Sequence, residues 1–515
     1  MPIASAAPAV AAPGAPLAAC PSRQARRAAA RQAAARARRQ ALHPGLARPA
    51  PAPAARLGPT DAAPDRPVYE ALVDWLDRCL AGQGHARPTR TRLALLVAGL
   101  VAGADGPGTP HAVARTAFDL RVGAATREES VARRVARTLD APQLDPHRLL
   151  PDLTRAALPA LLAEAALAHD SAVGARPAHA APGGHHGRWR GVRLVVDETT
   201  KTDQTHVLAV GLAYRGAVVP LGVRTWPQNV PQPEGAYWSA LGGLLWEVHA
   251  ALPPALRPHV LVLADRGYGV PAFLDLLAAL GWHYVVRVQG QVRVLLPGGA
   301  SRPLRDLAPR PGTTWLGAAV GGAAPGAAPG PDPIVGVFKK AGGRAAQVVA
   351  VWAPGQAEPW LLVTSLPATP ARALDYAGRW AIERLFLSWK SAGWDLERCG
   401  VPDPARLARL LVGYVVATWW LLAAALPAAQ AHLAELAARA ARRTGRPPAW
   451  TGQLRLPLPL VRPWIAKFSL LTLGRRAFRR TPCRTATPAL CWRFPDWHAP
   501  VWSAQCLDVY HARTA

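Results

Sequence analysis

The chain has 515 residues, and its 60 Lys and Arg residues against 32 Asp and Glu residues give a formal net charge of +28. Half of the residues are hydrophobic, which excludes a disordered polycation, and the length suits roughly two to four domains. The charge predicts a polyanionic partner, with nucleic acid as the first candidate. Six cysteines without a C-x-x-C pair exclude a zinc knuckle and disfavour a disulfide framework, so the cytoplasm is the expected compartment.

Residues 1–60 form an Ala-, Pro- and Arg-rich leader that contains nine Arg and no acidic residue. It has too few large apolar residues to fold, so we expect a disordered basic tail. Two interpretations remain open, a translated GC-rich leader without function or an arm that tethers DNA. Cys20 closes a Leu-Ala-Ala-Cys sequence typical of lipoprotein cleavage, but no Lys or Arg precedes it and prolines break the segment, which disfavours a signal peptide.

Residues 61–174 show the apolar spacing of helices and predict a helical DNA-binding domain. A short amphipathic helix is expected at 126–139, and it carries three arginines, Arg133, Arg134 and Arg137. These arginines suit contacts to DNA phosphates, and a charged face exposed to solvent explains them equally well. A Pro-, Gly- and His-rich linker at 175–190 then closes the domain.

After the linker, the apolar pattern changes to a period of two and to continuous runs. Strands are predicted at 192–196, 207–214, 218–225, 260–264 and 284–288, with helices at 238–252 and 272–280. The resulting order βββαβαβ over 191–288 resembles the first part of a ribonuclease H-like core, an α/β fold with a mixed sheet. Further strand-like runs predict a β-rich insertion at 289–366.

Helices resume in the second part of the core, 367–430, and a basic helical C-terminal region follows at 431–515. The last 80 residues hold 14 Lys and Arg against two Asp, which suits contact with DNA. The segment 410–427 has 18 residues without a charge, at the short limit for crossing a bilayer. Because it is the only such segment, we expect a buried core helix and no membrane association.

Two acidic residues each end an apolar run that predicts a buried strand. Asp197 follows the strand at 192–196, and Asp265 follows the strand at 260–264. An ionised carboxylate in such a place is costly unless a cation pairs with it, and a metal ion is a common partner. In a βββαβαβ core the two strands are neighbours, so both carboxylates can reach one point. A catalytic pair and two structural residues both remain open at this stage.

A predicted helix at 371–391 carries four polar residues with spacings of three, four and seven: Tyr376, Arg379, Glu383 and Lys390. At about 100° per residue they fall within an arc of about 60°. An i,i+4 ion pair explains Arg379 and Glu383 but not the other two. We therefore expect Glu383 to complete a cluster of carboxylates between two phosphate-binding cations.

These residues resemble the DDE transposases of bacterial insertion sequences, in the group with the signature Tyr-x2-Arg-x3-Glu-x6-Lys. Here the signature runs from Tyr376 to Lys390 without a departure. The resemblance extends over about residues 66–430 and includes Asp197, the Asp265-Arg-Gly-Tyr268 sequence and a β-stranded insertion before Glu383.

The resemblance implies that Asp197, Asp265 and Glu383 are the catalytic residues and the ligands of two Mg²⁺ ions, for which Mn²⁺ can substitute. It implies that DNA phosphates are bound by a set of four residues, Tyr376, Arg379, Lys390 and Arg266. Stacking of a DNA base on a tryptophan of the insertion is a further implication. Its candidates are Trp315, Trp352 and Trp360, each of which also suits a buried core position.

The implied function is metal-dependent cleavage at the ends of an insertion sequence, followed by strand transfer into target DNA. The partners would be the terminal inverted repeats and target DNA, with a homodimer at synapsis, in the cytoplasm and associated with the nucleoid. The alternative is a catalytically inactive descendant that binds DNA as a regulator. The intact acids and signature residues favour the enzyme.

Overall fold

The structure is a computed structural model that describes residues 67–103, 106–121, 127–162, 189, 191–202, 204–319, 331–391, 393–444 and 470–494. The predicted leader, 1–60, lies outside the described residues. So does the predicted linker, 175–190, apart from Trp189.

The N-terminal part of the described chain is helical, as the apolar spacing predicts. Its helices are α1 (Val68–Leu80), α2 (Arg87–Ala102), α3 (Pro110–Asp119), α4 (Glu128–Asp140) and α5 (Pro146–Leu161). Helix α4 is the predicted amphipathic helix. Two acids lie in its first turn and Arg137 lies in its last. These positions stabilise the helix, because each charge is opposite in sign to the partial charge at the nearer helix end. The side chains of Thr109 and Asp145 cap α3 and α5 by accepting hydrogen bonds from backbone amides.

The centre of the molecule is a mixed sheet flanked by helices. Its first part contains β1 (Val192–Lys201), β2 (Thr205–Tyr214), β3 (Ala217–Pro227), α6 (Ala236–Ala251), β4 (Val260–Ala264), α7 (Pro271–Ala279) and β5 (His283–Arg287). The predicted order βββαβαβ is therefore confirmed. Strands β1, β2 and β3 pair antiparallel, whereas β1, β4 and β5 pair parallel, so the spatial order is β3-β2-β1-β4-β5. This sheet is consistent with a ribonuclease H-like core.

The predicted insertion is rich in strands, but its strands do not form one separate layer. They are β6 (Arg293–Leu295), β7 (Ser301–Pro303), β8 (Thr314–Ala319), β9 (Asp332–Ile334), β10 (Gly336–Val337), β11 (Gln347–Val351) and β12 (Trp360–Thr364). Among the described residues, β12, β11, β8 and β9 extend the main sheet beyond β5, and β10, β6 and β7 form a small second sheet. Strand β12 is buried and pairs with β5, so the main sheet continues through the insertion.

The C-terminal part consists of helices that pack on the sheet and on the N-terminal helices. They are α8 (Ala371–Tyr376), α9 (Ala381–Trp389), α10 (Pro404–Thr444) and α11 (Leu470–Arg480). Within the described residues, one stretch of α10, Pro404–Ala431, is long and apolar enough to cross a membrane, and 94% of its most apolar window is buried. The expected buried core helix is thus confirmed.

Four tryptophans join distant parts of the chain at this helix. Trp75 of α1 stacks on Trp492 with ring centroids 5.2 Å apart, and it meets Trp419 and Trp420 of α10 edge to face at 6.2 Å. All four rings are at most 2% exposed. Large aromatic rings bury much apolar area in such pairs, so the cluster fixes α1 and the C-terminal segment against α10.

The contact between α11 and α10 depends on one glycine. A methyl group at Gly474 would lie 1.9 Å from the carbonyl oxygen of Leu421, so Gly474→Ala must push the helices apart. We expect this substitution to lower the free energy of unfolding by about 1–3 kcal/mol. Gly243→Ala is the matched control, because Gly243 lies on the exposed face of α6 with nothing within 4 Å of an added methyl. It should be neutral or stabilise by up to about 1 kcal/mol. Urea denaturation of both variants tests the difference, and equal effects would contradict it.

Candidate active site

Two of the predicted acids are brought together by the parallel pairing of β1 and β4. Val196 is aligned with Ala264 in this pairing, so Asp197 and Asp265, which follow these two residues in the chain, lie side by side. Strand β4 ends at Ala264, but β1 continues to Lys201 with β2 as its partner. The edge of β1 that faced β4 is left open from Asp197 onward, and a cleft forms there.

The segment 371–391 supplies the third acid, but it is not the continuous helix that the sequence predicts. Helix α8 ends at Tyr376, a 3₁₀ turn spans Ala377–Trp380, and α9 begins at Ala381. The tighter 3₁₀ turn changes the angle between Tyr376 and the residues after it. As a result, Arg379, Glu383 and Lys390 line the cleft while Tyr376 lies beneath it. The predicted single stripe of four residues is therefore wrong for Tyr376.

The cleft has a volume of about 580 Å³ and contains all three predicted acids. Its lining residues are Asp197, Glu198, Thr199, Asp265, Arg379, Glu383, Phe386, Leu387, Lys390, Ser391 and Glu397. Leu387 is 53% exposed, so the wall of the cleft also offers apolar surface.

Arg379 forms hydrogen bonds with two of the acids, Asp197 and Glu383. Its Nη1 donates to Oδ2 of Asp197 at 3.1 Å, and its Nη2 donates to Oε1 of Glu383. The Arg379 side chain is only 9% exposed. The other oxygen of Asp197 accepts a hydrogen bond from the backbone amide of Glu198 at 2.9 Å, and Oδ1 of Asp265 accepts one from the amide of Arg266 at 2.6 Å. The acids are thus oriented before any ligand binds.

The electrostatics of the site follow from this burial. Burial raises the pKa of Asp197 from 3.8 to about 6, although Arg379 opposes the shift. Burial also raises the pKa of Glu383, again against Arg379. Burial alone would lower the pKa of Arg379, but Tyr376, Glu383 and Asp197 more than offset this and raise it. The site therefore combines two carboxylates that resist ionisation with a cation that stays charged.

Tyr376 supports Arg379 instead of facing the cleft. It is 4% exposed, its ring packs edge to face on Trp360 at 5.2 Å, and the Arg379 guanidinium lies 5.8 Å from its ring centre. Burial raises the pKa of Tyr376 to about 12. Its predicted contact with a DNA phosphate would require its hydroxyl to become exposed. Tyr268 is also buried, next to Phe273.

The side chains of the other predicted DNA contacts do not line the cleft. Arg266 is 56% exposed, sits 3.6 Å from Glu358, and lines a neighbouring cavity of about 290 Å³. Trp315, Trp352 and Trp360 are partly buried against the core, and among the described residues they are not part of the cleft lining. The indoles of Trp315 and Trp352 donate to Asp332 and to the carbonyl of Gln356. Base stacking by any of the three stays a prediction.

Sequence reasoning missed two further carboxylates of the cleft, Glu198 and Glu397. Glu198 follows Asp197 directly and binds the ring of His206. Glu397 reaches the cleft only because the chain turns back after α9. Neither lies at a spacing that marks it in the sequence, although the position of Glu198 beside Asp197 is a weak signal.

The cleft is a candidate metal site because its acidic side chains offer carboxylate oxygens, and not because they already surround a point where an ion would sit. No three His, Cys, Asp or Glu side chains of the described residues are close enough together to hold a metal ion. In the cleft, Asp197 and Glu383 share Arg379 as a common cation. Asp265 faces the same cleft.

Comparisons with known proteins point to the same region. Residues 244–420 match a family model described as a transposase DDE domain. The match covers about a third of the chain, includes Asp265 and Glu383, and begins after Asp197. It supports an insertion-sequence DDE transposase, for which DNA is the implied partner and a divalent metal the usual cofactor. A search of curated proteins finds no match for the chain.

Asp197→Asn tests the cost of burying this carboxylate. Because the pKa of Asp197 is raised from 3.8 to about 6, the native state binds the proton more tightly than the unfolded chain. Protonated Asp197 therefore stabilises the native state at low pH, and the free energy of unfolding falls as pH rises from about 4 to above 6. Asp197→Asn has no carboxylate to deprotonate, so its free energy of unfolding does not fall in this way. The difference between the variant and the wild type should therefore rise by up to about 3 kcal/mol between about pH 4 and pH 7. Urea denaturation in EDTA measures this, and a pH-independent difference would contradict the burial argument.

Proposed function

We propose that this protein is a DNA transposase of an insertion sequence, which cuts phosphodiester bonds at the ends of the element and joins the freed strand to target DNA. The observation that carries the proposal is the single cleft that holds Asp197, Asp265 and Glu383 together with the cations Arg379 and Lys390. Carboxylates for metal binding beside cations for phosphate binding are what phosphodiester chemistry requires. The family match over 244–420 supports the same reading.

The three acids fit Mg²⁺ or Mn²⁺ by their chemistry. Both ions prefer oxygen ligands, and buried carboxylates gain most from a cation that offsets their burial. Arg379 is that cation for Asp197 and Glu383 in this structure, so a metal ion would compete with it for the same oxygens. When bound by Asp197, Asp265 and Glu383, two ions would activate water or a 3′-hydroxyl and stabilise the leaving oxygen.

The cations of the cleft would bind and orient the DNA backbone. The guanidinium of Arg379 has five N–H donors, more than its contacts to Asp197 and Glu383 use, so it can also bind a phosphate oxygen. Lys390 lies beyond Glu383 at the end of α9 and would hold a second phosphate. The exposed side chain of Leu387, which lies between Glu383 and Lys390 in the sequence, also lines the cleft and would pack against a sugar or base.

Basic surfaces outside the cleft would supply most of the affinity for DNA. On α4, Arg133 is 68% exposed and its distance to Glu129 is 4.0 Å, which leaves it available to a phosphate. Helix α11 carries Arg476, Arg479 and Arg480. The substrate would be the terminal inverted repeats, held in a synapsis by a homodimer, and the protein would act in the cytoplasm on the nucleoid. An inactive regulator would keep these surfaces but would not need the acids.

Glu383→Gln tests the catalytic assignment. The variant keeps the shape of the side chain and removes the charge, so Mg²⁺-dependent nicking of a duplex with the inverted repeat that flanks the gene should fall at least about 1000-fold. Glu435→Gln is the matched control, because Glu435 is 55% exposed on α10 and pairs only with Arg439 in the described structure. It should cleave like the wild type. Cleavage by the Glu383 variant at the wild-type rate would refute the site, and inactive wild-type protein would favour the regulator.

Salt titration tests the DNA contacts. Counterion release predicts that the logarithm of the binding constant falls linearly with the logarithm of the salt concentration. Lys390→Ala should lower the steepness of this line by about one and weaken binding about three- to tenfold at low salt, because one phosphate contact is lost. Fluorescence anisotropy with a labelled duplex measures both. A binding constant that does not change with salt would contradict DNA as the partner.

A further inference from the structure

Glu397 joins two sides of the cleft through its two carboxylate oxygens. Oε1 forms an ion pair with the ammonium group of Lys390 at 2.7 Å, and Oε2 accepts a hydrogen bond from the backbone amide of Thr202 at 2.6 Å. Thr202 lies in the turn after β1, where its φ of 44° marks a tight left-handed conformation. Glu397 thus ties the end of β1, which carries Asp197, to the end of the helix that carries Glu383.

The position of Glu397 is fixed by its neighbours in the chain. It lies in a short 3₁₀ turn, Leu396–Arg398, and the chain around it is anchored by three side chains that are at most 1% exposed, Trp394, Leu396 and Cys399. The indole of Trp394 donates to the carbonyl oxygen of Leu100 in α2, and its ring packs on Tyr414 of α10 at 4.7 Å. The carboxylate is therefore presented to the cleft from a segment that buried side chains anchor.

Lys390 gains a defined direction from this contact. It follows the last residue of α9, and its non-helical backbone, with ψ of −90°, ends that helix. A lysine side chain has about 2 kcal/mol of rotamer entropy, which it must lose whenever it binds a phosphate. Here the ammonium group forms an ion pair with Glu397 and donates to the hydroxyl of Thr199 at 3.3 Å. These two contacts occupy at most two of its three N–H donors, so a donor remains for a ligand.

We propose that Glu397 is a positioning residue, which holds the ammonium group of Lys390 in the cleft so that its remaining donor meets a DNA phosphate. This inference rests on the proposed function, because it concerns the same phosphate contact. The opposite role, in which Glu397 imitates a phosphate and must leave Lys390 before DNA binds, fits the structure less well. The carboxylate is also held by the Thr202 amide, and buried side chains anchor the chain around it, which favours a fixed position.

A double-mutant cycle tests the inference. The dissociation constant of the full-length protein for a fluorescent duplex of random sequence is measured in EDTA for the wild type, Glu397→Ala, Lys390→Ala and the double variant. Each single variant should bind about three- to tenfold more weakly, with the salt dependence less steep by about one. The double variant should bind no more weakly than Lys390→Ala, because Glu397 acts only through that lysine.

Two further variants separate positioning from other effects. Glu397→Gln keeps one oxygen as an acceptor and should recover most of the lost affinity. Glu435→Ala removes one negative charge at a distant exposed site, so it should not weaken binding. Thermal melting of each variant shows whether the chain folds. If Glu397→Ala unfolds, Glu397→Gln replaces it in the cycle. Glu397→Gln should then show a smaller loss of affinity, and that loss should vanish in the Lys390→Ala background.

Three outcomes would overturn the inference: tighter binding by Glu397→Ala, unchanged binding, or an equal additional loss in the Lys390→Ala background. Tighter binding would make Glu397 a competitor of phosphate, and an additive loss would make its role purely structural. If Lys390→Ala itself binds like the wild type, the phosphate contact of the proposed function falls together with the inference. A coupled cycle in a protein that does not cleave DNA would leave the inference standing and refute only the catalytic assignment.

Discussion

The arrangement of the cleft depends on one buried cation, the guanidinium of Arg379. Asp197 and Glu383 come from elements far apart in the chain, and both lose hydration when the fold brings them together. Arg379 bonds to both from a side chain that is 9% exposed, and Tyr376 packs against it from below. A buried ion pair seldom adds net stability, because desolvation consumes most of its Coulomb energy. Its effect here is to fix where the two carboxylates lie.

The topology of the sheet explains why acids meet at this place. Parallel pairing aligns Val196, in the middle of β1, with Ala264, the last residue of β4, so Asp197 and Asp265 become neighbours although 67 residues separate them. Because β1 continues beyond β4, its open edge is available to α9 and to the turn that carries Glu397. A longer β4 would pair with that edge and close the cleft. Strand length therefore decides whether the site exists.

Sequence reasoning reached the residues whose signal is local. Asp197 and Asp265 follow apolar runs, and the four-residue spacing of Arg379 and Glu383 favours an ion pair on a helix. It missed what tertiary packing decides. The 3₁₀ turn Ala377–Trp380 that separates Tyr376 from the cleft has no breaker residue other than Gly378. Glu397 reaches Lys390 only because Trp394 is buried against α2 and α10. The pairing of β12 with β5 likewise depends on contacts that no short segment encodes.

The net charge of the chain and the charge of its cleft have opposite signs. The whole sequence carries +28, yet the cleft holds five carboxylates against Arg379 and Lys390. A DNA backbone attracted by the basic surface would meet an excess of negative charge at the site itself, and like charges repel. Glu397 adds to this repulsion, so the proposed positioning role requires that the geometry it gives Lys390 be worth more than the charge it cancels.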